Sequence, residues 1–158
     1  MSTVSARIDL PATPRSVVAA RRVLRELLCV WGAPQDREDA ELLATELVAN
    51  VVDHVGGDEL LTLEVDLAED WLRIAVVDGS AVRPVVQELS GVRPRGRGMQ
   101  MVAAIATRWG VEDHHGGKRV WLDLVPGGVP AAVPAGLPPV PRGDGSGDRD
   151  RQTKESSR

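Results

Sequence analysis

The sequence contains no phenylalanine, no tyrosine and only one cysteine, Cys29. The lack of Phe and Tyr removes the usual platforms on which proteins stack the bases of single-stranded nucleic acids. A net charge of −4 likewise argues against a protein whose main task is to bind nucleic acid. A single thiol excludes an internal disulfide framework and a thiolate metal cluster. Because Cys29 lies among Leu27, Leu28 and Val30, we interpret it as a thiol of the hydrophobic core.

Long hydrophobic runs are also missing. No apolar stretch approaches the roughly 20 residues that a membrane-spanning helix needs. The first residues do not join a basic segment to an apolar one, as a signal peptide does. We therefore expect a cytoplasmic protein with no membrane partner. The 158 residues, of which 42% are hydrophobic, suffice for one domain with its own core.

The spacing of apolar residues predicts helices and paired strands in an α+β order. Residues 61–67 alternate between aliphatic and polar side chains, as in a strand with one buried face. Thr13 and Pro14 are typical of a helix start, Gly32 of a helix end, and Asp36 of a second helix start. In chain order we predict a strand over 6–10, a helix from Pro14 closed by Gly32, a helix from Asp36 to about Val55, strands over 61–67 and 71–77, a helix over 98–108, and strands over 109–113 and 118–125.

Two regions of the chain lack this periodicity. Residues 80–95 are irregular, and a loop of this length inside a compact domain is more often functional than accidental. From residue 126 the composition turns to Pro, Gly, Ala and Val, and then to polar and charged residues, which predicts a disordered tail or a flexible linker. We therefore divide the chain into a domain over 1–125 and a tail over 126–158.

Two short segments contain the residue types of a nucleotide site. In E-L-V-A-N, Glu46 and Asn50 are four residues apart and therefore share one face of a helix. A carboxylate can act as a general base, and an amide oxygen is a hard ligand of the kind that Mg²⁺ prefers. In G-R-G-M-Q-M-V, Gly96 and Gly98 allow a close backbone approach at a helix start, where unpaired N–H groups attract phosphate. Taken alone, each segment also fits an ordinary amphipathic helix or a capping turn.

Together with two further segments, these motifs resemble the histidine-kinase-like ATPase superfamily, also called the Bergerat or GHKL superfamily. The further segments are V-V-D-G at 76–79, and W-G-V followed by G-G-K-R-V-W between residues 109 and 121. The resemblance extends over residues 6–125, and it is greatest to the small anti-sigma-factor serine/threonine kinases of bacteria. It implies a two-layer α/β sandwich, in which a mixed and mostly antiparallel sheet has its helices on one face.

The resemblance also implies a role for each matching residue. Glu46 would be the catalytic base, and Asn50 would be the ligand of Mg²⁺. Asp78 would accept a hydrogen bond from the amino group of adenine, although Asp78 and Gly79 taken alone could equally form a turn. The implied cofactors are ATP and Mg²⁺. The implied nucleotide-binding residues are Asn50, Asp78, Gly79, Gly96, Arg97, Gly98 and Met99.

The sequence departs from the family pattern at two positions that the resemblance places near the adenine base. Ser80 occupies the position of a glycine in the motif D-x-G-x-G, and Arg119 stands where G-K-T-V-W has its threonine. In the family this threonine assists the aspartate that binds adenine, whereas an arginine cannot accept a hydrogen bond. Arg119 could point away from the site, weaken it, or stack on the base.

By this resemblance we expect a regulator that transfers the γ-phosphate of ATP to a serine or threonine of an anti-sigma-factor antagonist of the STAS type. A sigma factor would be the competing partner, a homodimer is the implied assembly, and no nucleic acid is bound directly. The alternative is a nucleotide- or protein-binding switch with little or no kinase activity, which acts by sequestering a partner. Ser80 and Arg119 favour the switch, and the intact pair of Glu46 and Asn50 favours the kinase.

Overall fold

The structure is a computed structural model, and it describes residues 2–55, 57–79 and 97–127. The described elements occur in the predicted order. They are β1 (Thr3–Pro11), α1 (Pro14–Trp31), α2 (Arg37–His54), β2 (Leu60–Ala68), β3 (Trp71–Asp78), α3 (Arg97–Ile105), β4 (Arg108–His114) and β5 (Gly117–Leu124). None of the described helices is both long enough and apolar enough to cross a membrane. The predicted loop over 80–95 and nearly all of the predicted tail over 126–158 lie outside the described residues.

The five strands form one antiparallel sheet in the order β1-β2-β3-β5-β4. Because side chains alternate along each strand, the sheet has an inner face and an outer face. Leu63, Val76 and Val120 lie side by side on the inner face, where they join buried residues of all three helices in one hydrophobic core. The predicted α+β fold, with helices packed on one face of the sheet, is confirmed.

The ends of the first two helices follow the chemistry of the residues found there. Pro14 is the first helical residue of α1, where the missing N–H of proline costs nothing, and Thr13 precedes it as the N-cap. Gly32 ends the helix with a φ of 63°, a left-handed conformation that glycine adopts without strain. The side chain of Asp36 accepts a hydrogen bond of 2.9 Å from the backbone N–H of Asp39 at the start of α2. These three predictions are confirmed.

The last two predicted strands are also confirmed, and they form a hairpin. His115 and Gly116 connect β4 to β5 with φ values of 47° and 83°, and two positive φ values in a two-residue loop are typical of a type I′ turn. The helix before it is shorter than predicted. It ends at Ile105 rather than at Arg108, because Arg108 already pairs with β5 as the first residue of β4.

The interpretation of Cys29 as a core thiol is wrong, because its side chain is exposed. Leu24 and Leu28 of the same helix are completely buried. Successive helical residues are rotated by about 100° around the axis, so the two residues that follow Leu28 turn away from the core. Val30, the second of them, is 82% exposed. Apolar neighbours in sequence therefore do not place Cys29 in the core.

An ion-pair cluster that no sequence motif signals joins α1 to α2. Glu41 of α2 is almost completely buried, and its carboxylate accepts hydrogen bonds from Arg21 Nε at 3.0 Å and from Arg25 Nε at 2.6 Å. The hydrogen bond from Arg25 is the main reason that the pKa of Glu41 falls to about 2, against the opposing effect of burial. These contacts fix the face of α2 that meets α1. Glu46 and Asn50 take no part in them.

Candidate nucleotide site

Glu46 and Asn50 lie on α2 in the arrangement predicted for a ligand pair. Both are half-buried, whereas Leu47, Val48 and Val51 between and beside them are completely buried in the core. Among the described residues, neither Glu46 nor Asn50 has a side-chain hydrogen bond or an ion pair. The polar atoms of this pair are therefore open to a ligand or to water.

The surroundings of Glu46 favour its protonated form. Burial raises the pKa of its carboxyl group, and the negative charge of Asp53 on the next turns of α2 raises it further. A general base works best when its pKa is close to the working pH, so an upward shift from the ordinary value of a glutamate is a shift toward better proton acceptance. The electrostatics of Glu46 are therefore compatible with the role that the sequence motif implies.

Asp78 is the last residue of β3 and lies on the inner face of the sheet, with an exposed fraction of 3%. Lys118 of β5 is directly opposite in the strand register and is 2% exposed. Its ammonium nitrogen lies 3.2 Å from one carboxylate oxygen of Asp78 and 3.1 Å from the other. The predicted base-binding carboxylate is therefore half of a buried ion pair. Lys118 is the residue of this site that the sequence interpretation missed.

A glycine brings β5 into close contact with the end of β3. If Gly117 carried a Cβ atom, that atom would overlap the backbone oxygen of Asp78 and lie 2.7 Å from the Cα atom of Gly79. Only a residue without a side chain allows the two backbones to come this close. Gly117 thus holds Lys118, the next residue along, beside Asp78. Gly79 itself is exposed, and no atom of the described residues lies within 4 Å of the position that a Cβ atom would take there.

The remaining predicted residues belong to the start of α3. Arg97 is the first residue of this helix and Gly98 the second, whereas Gly96 and Ser80 lie outside the described residues. Met99 is 4% exposed and belongs to the hydrophobic core, so a contact between Met99 and a phosphate would have to come from its backbone. The phosphate cradle at this helix start stays a prediction.

The helix α2 packs against both β3 and α3. The three elements that contain the predicted site residues are thus neighbours, although they are separated along the chain. Glu46 and Asn50 contribute a carboxylate and an amide from α2. Asp78 contributes a second carboxylate from the end of β3, and α3 contributes its N-terminus. This combination offers candidate ligand oxygens for a metal ion, a candidate general base, the carboxylate predicted to bind adenine, and a helix end of the kind that attracts anions.

A comparison with protein families decides the identity of this domain. The family model of the histidine kinase-like ATPase domain matches residues 10–124. The chain belongs to this family. Among solved structures it is similar to the RsbU and RsbW domains of Rv1364c from Mycobacterium tuberculosis, with 23% sequence identity and a TM-score of 0.55. That match covers 76% of this chain and 32% of the other, so this chain spans about a third of its length, and the likeness shows the fold alone. A comparison with curated proteins finds no match.

A histidine kinase-like ATPase domain implies nucleotide binding, usually with Mg²⁺, and the residues present fit both. Mg²⁺ commonly takes one or two protein oxygens and completes its coordination with phosphates and water. Asn50 offers such an oxygen on a half-buried helix face. Within residues 2–55, 57–79 and 97–127, no group of three or more His, Cys, Asp and Glu residues could hold a metal ion. The donor set suits a Mg²⁺ ion that the nucleotide helps to bind.

Arg119 lies on the outer face of the sheet, on the side away from the ATPase site. Its Nε donates to Glu64 of β2 at 2.8 Å, and one of its terminal nitrogens donates to Glu112 of β4 at 2.8 Å. Arg7 of β1 binds the same Glu64 at 3.1 Å. Of the three alternatives for Arg119, the structure supports the first. The departure from the family pattern at this position forms a cross-strand ion-pair network, and the residue that meets Asp78 is Lys118.

We expect Arg119→Thr to lower the free energy of unfolding by about 2–3 kcal/mol, because it leaves two carboxylates without their shared cation on a largely buried surface. Nucleotide affinity should not change, because the side chain is on the opposite face from Asp78. Urea denaturation and ADP titration of the same protein measure the two quantities. Arg7→Thr is the matched control, since Arg7 is mostly exposed and its ion pair should contribute less than about 1 kcal/mol. A loss of affinity without a loss of stability would contradict this placement.

Proposed function

We propose that this ATPase domain is a protein kinase that transfers the γ-phosphate of ATP to a serine or threonine of an anti-sigma-factor antagonist of the STAS type. The observation that supports it best is the half-buried pair of Glu46 and Asn50 on one face of α2 in a histidine kinase-like ATPase domain. Neither side chain has a hydrogen bond or an ion pair among the described residues. A carboxylate and an amide oxygen on one helix face are residue types that phosphoryl transfer with Mg²⁺ uses.

In the proposed mechanism each residue has a separate task. Bound Mg²⁺ would neutralise the charge of the phosphates, and Asn50 would hold it through the amide oxygen. Glu46 would accept the proton of the attacking hydroxyl group while that oxygen bonds to the γ-phosphorus and the bond to the β-phosphate oxygen breaks. The raised pKa of Glu46 supports this acceptor role. Asp78 would orient the adenine base of ATP. The start of α3, with Gly96, Arg97 and Gly98, would bind the phosphates.

The partners belong to the same proposal. The family resemblance of the motifs suggests an antagonist as substrate and a sigma factor as competing ligand, in a homodimer that acts in the cytoplasm. The solved protein of similar fold contains a domain named RsbW, which is in keeping with this choice. The proposal therefore makes the protein a regulator of transcription that works through protein contacts.

Phosphate transfer can be measured directly by intact mass. The protein is incubated with Mg-ATP and with the STAS-type antagonist encoded nearest to it. We expect the antagonist to gain one phosphate. Glu46→Gln and Asn50→Ala should each reduce the rate of transfer by about 100-fold or more, because each removes a group that acts in the transition state. Glu26→Gln, at an exposed glutamate of α1 with no ion pair among the described residues, is the matched control and should transfer at the wild-type rate.

A second candidate function is a nucleotide-dependent switch without useful kinase activity. The departure from the family pattern at Ser80, two residues after Asp78, favours it. Nucleotide binding without transfer to any tested antagonist would establish the switch and exclude the kinase. Failure to bind ATP or ADP at all would exclude both functions.

A further inference from the structure

Lys118 has more donor capacity than the described chain uses. A lysine ammonium has three N–H donors and cannot accept a hydrogen bond. Lys118 is 2% exposed, and within the described residues its hydrogen-bond and ion-pair partner is the carboxylate of Asp78 alone. Lys118 donates one hydrogen bond to Oδ1 of Asp78, and its contact of 3.1 Å with Oδ2 is an ion pair. Its remaining N–H groups lack a hydrogen-bond acceptor among the described residues, although buried donors are nearly always paired.

The position of this donor follows from the strand register. Asp78 and Lys118 are directly opposite each other on the inner face of the sheet, and Gly117 keeps the two backbones in close contact. The side chain of the next residue, Arg119, points to the other face because side chains alternate along a strand. The end of the sheet thus presents a hydrogen-bond acceptor and a hydrogen-bond donor side by side.

We propose that Lys118 is a second base-reading residue, which donates a hydrogen bond to ring nitrogen N1 of adenine while Asp78 accepts one from the neighbouring exocyclic amine. The inference rests on the proposed nucleotide-binding function and deepens it. The amine of adenine is a donor and N1 beside it is an acceptor, which is the complement of the acceptor and donor that Asp78 and Lys118 present. Lys118 is a specificity residue in this arrangement, and it touches no reacting atom.

Nucleotide analogues test the proposal on the full chain. Affinities are measured by calorimetry for ADP, for 1-deaza-ADP, in which N1 is replaced by CH, and for 3-deaza-ADP, in which the same replacement is made on the opposite edge of the base. We expect the wild type to bind 1-deaza-ADP about tenfold or more weakly than ADP, since a hydrogen bond to a charged donor is lost. The affinity for 3-deaza-ADP should equal that for ADP. In Lys118→Met, ADP and 1-deaza-ADP should bind equally well.

Because Lys118→Met leaves the carboxylate of Asp78 buried without its cation, this variant can fail to fold. The double variant Asp78→Asn/Lys118→Met contains no unpaired buried charge and retains an acceptor for the amine. It should also bind ADP and 1-deaza-ADP equally well. If the wild type binds ADP and 1-deaza-ADP with the same affinity, or if the preference for ADP persists without Lys118, the proposal is overturned while nucleotide binding stands. If no nucleotide binds, the proposed function fails as well.

Discussion

Asp123→Asn is expected to lower the free energy of unfolding by about 3–5 kcal/mol, because it leaves two guanidinium groups without their shared anion. Asp123 is completely buried on the outer face of the sheet. Arg73 binds it through two hydrogen bonds of 2.6 and 2.8 Å, and Arg108 binds it at 2.5 Å. Arg73 also lies over the ring of Trp121, with 4.6 Å between the guanidinium carbon and the ring centre. Asparagine keeps the shape of the side chain but removes the charge that holds this cluster together.

Urea denaturation at neutral pH measures the effect. Asp70→Asn, at an exposed residue in the turn between β2 and β3, is the matched control and should stay within about 0.5 kcal/mol of the wild type. The double variant Arg73→Met/Asp123→Leu should recover part of the loss, since it removes both completely buried charges and leaves only Arg108, whose side chain is 20% exposed, without its anion. A wild-type transition in Asp123→Asn would mean that the buried ion pairs contribute nothing to stability.

Gly117→Ala is expected to destabilise the domain by about 2–3 kcal/mol and to abolish nucleotide binding at the same time. The new Cβ atom would overlap the backbone oxygen of Asp78, and a backbone atom cannot rotate away as a side chain does. The start of β5 would have to move, and Lys118 would move with it away from Asp78. The loss of binding should therefore exceed what the loss of stability explains.

Thermal unfolding and ADP titration, both at a temperature where the variant remains folded, separate these two effects. Gly79→Ala is the structural control. It adds the same methyl group to the other strand end of this contact. Among the described residues the Cβ atom would meet no neighbour within 4 Å, so stability should stay within about 0.5 kcal/mol. If Gly117→Ala retained wild-type stability and affinity, the close approach of β5 to Asp78 would not be needed for either.

Most of the fold could be predicted from local patterns. The alternation in 61–67 and the caps at Pro14, Gly32 and Asp36 act over a few residues, so the sequence carries the whole signal. Cys29 shows where such reasoning fails. Its neighbours are apolar, but the rotation of the helix decides which of them face the core, and only the packing of α1 on α2 sets that rotation. The same limit applies to Glu41, which gains its two arginine partners from another helix.

The candidate site divides in the same way. The sequence by itself determined that Glu46 and Asn50 share a helix face, because four residues make about one turn. It also contains the residue types from which a site for a magnesium nucleotide is predicted. Only the tertiary structure decided that Lys118, and not Arg119, meets Asp78. The reason is that the register of β3 against β5 depends on contacts distant along the chain, and a shift of one residue would exchange the two faces of the strand.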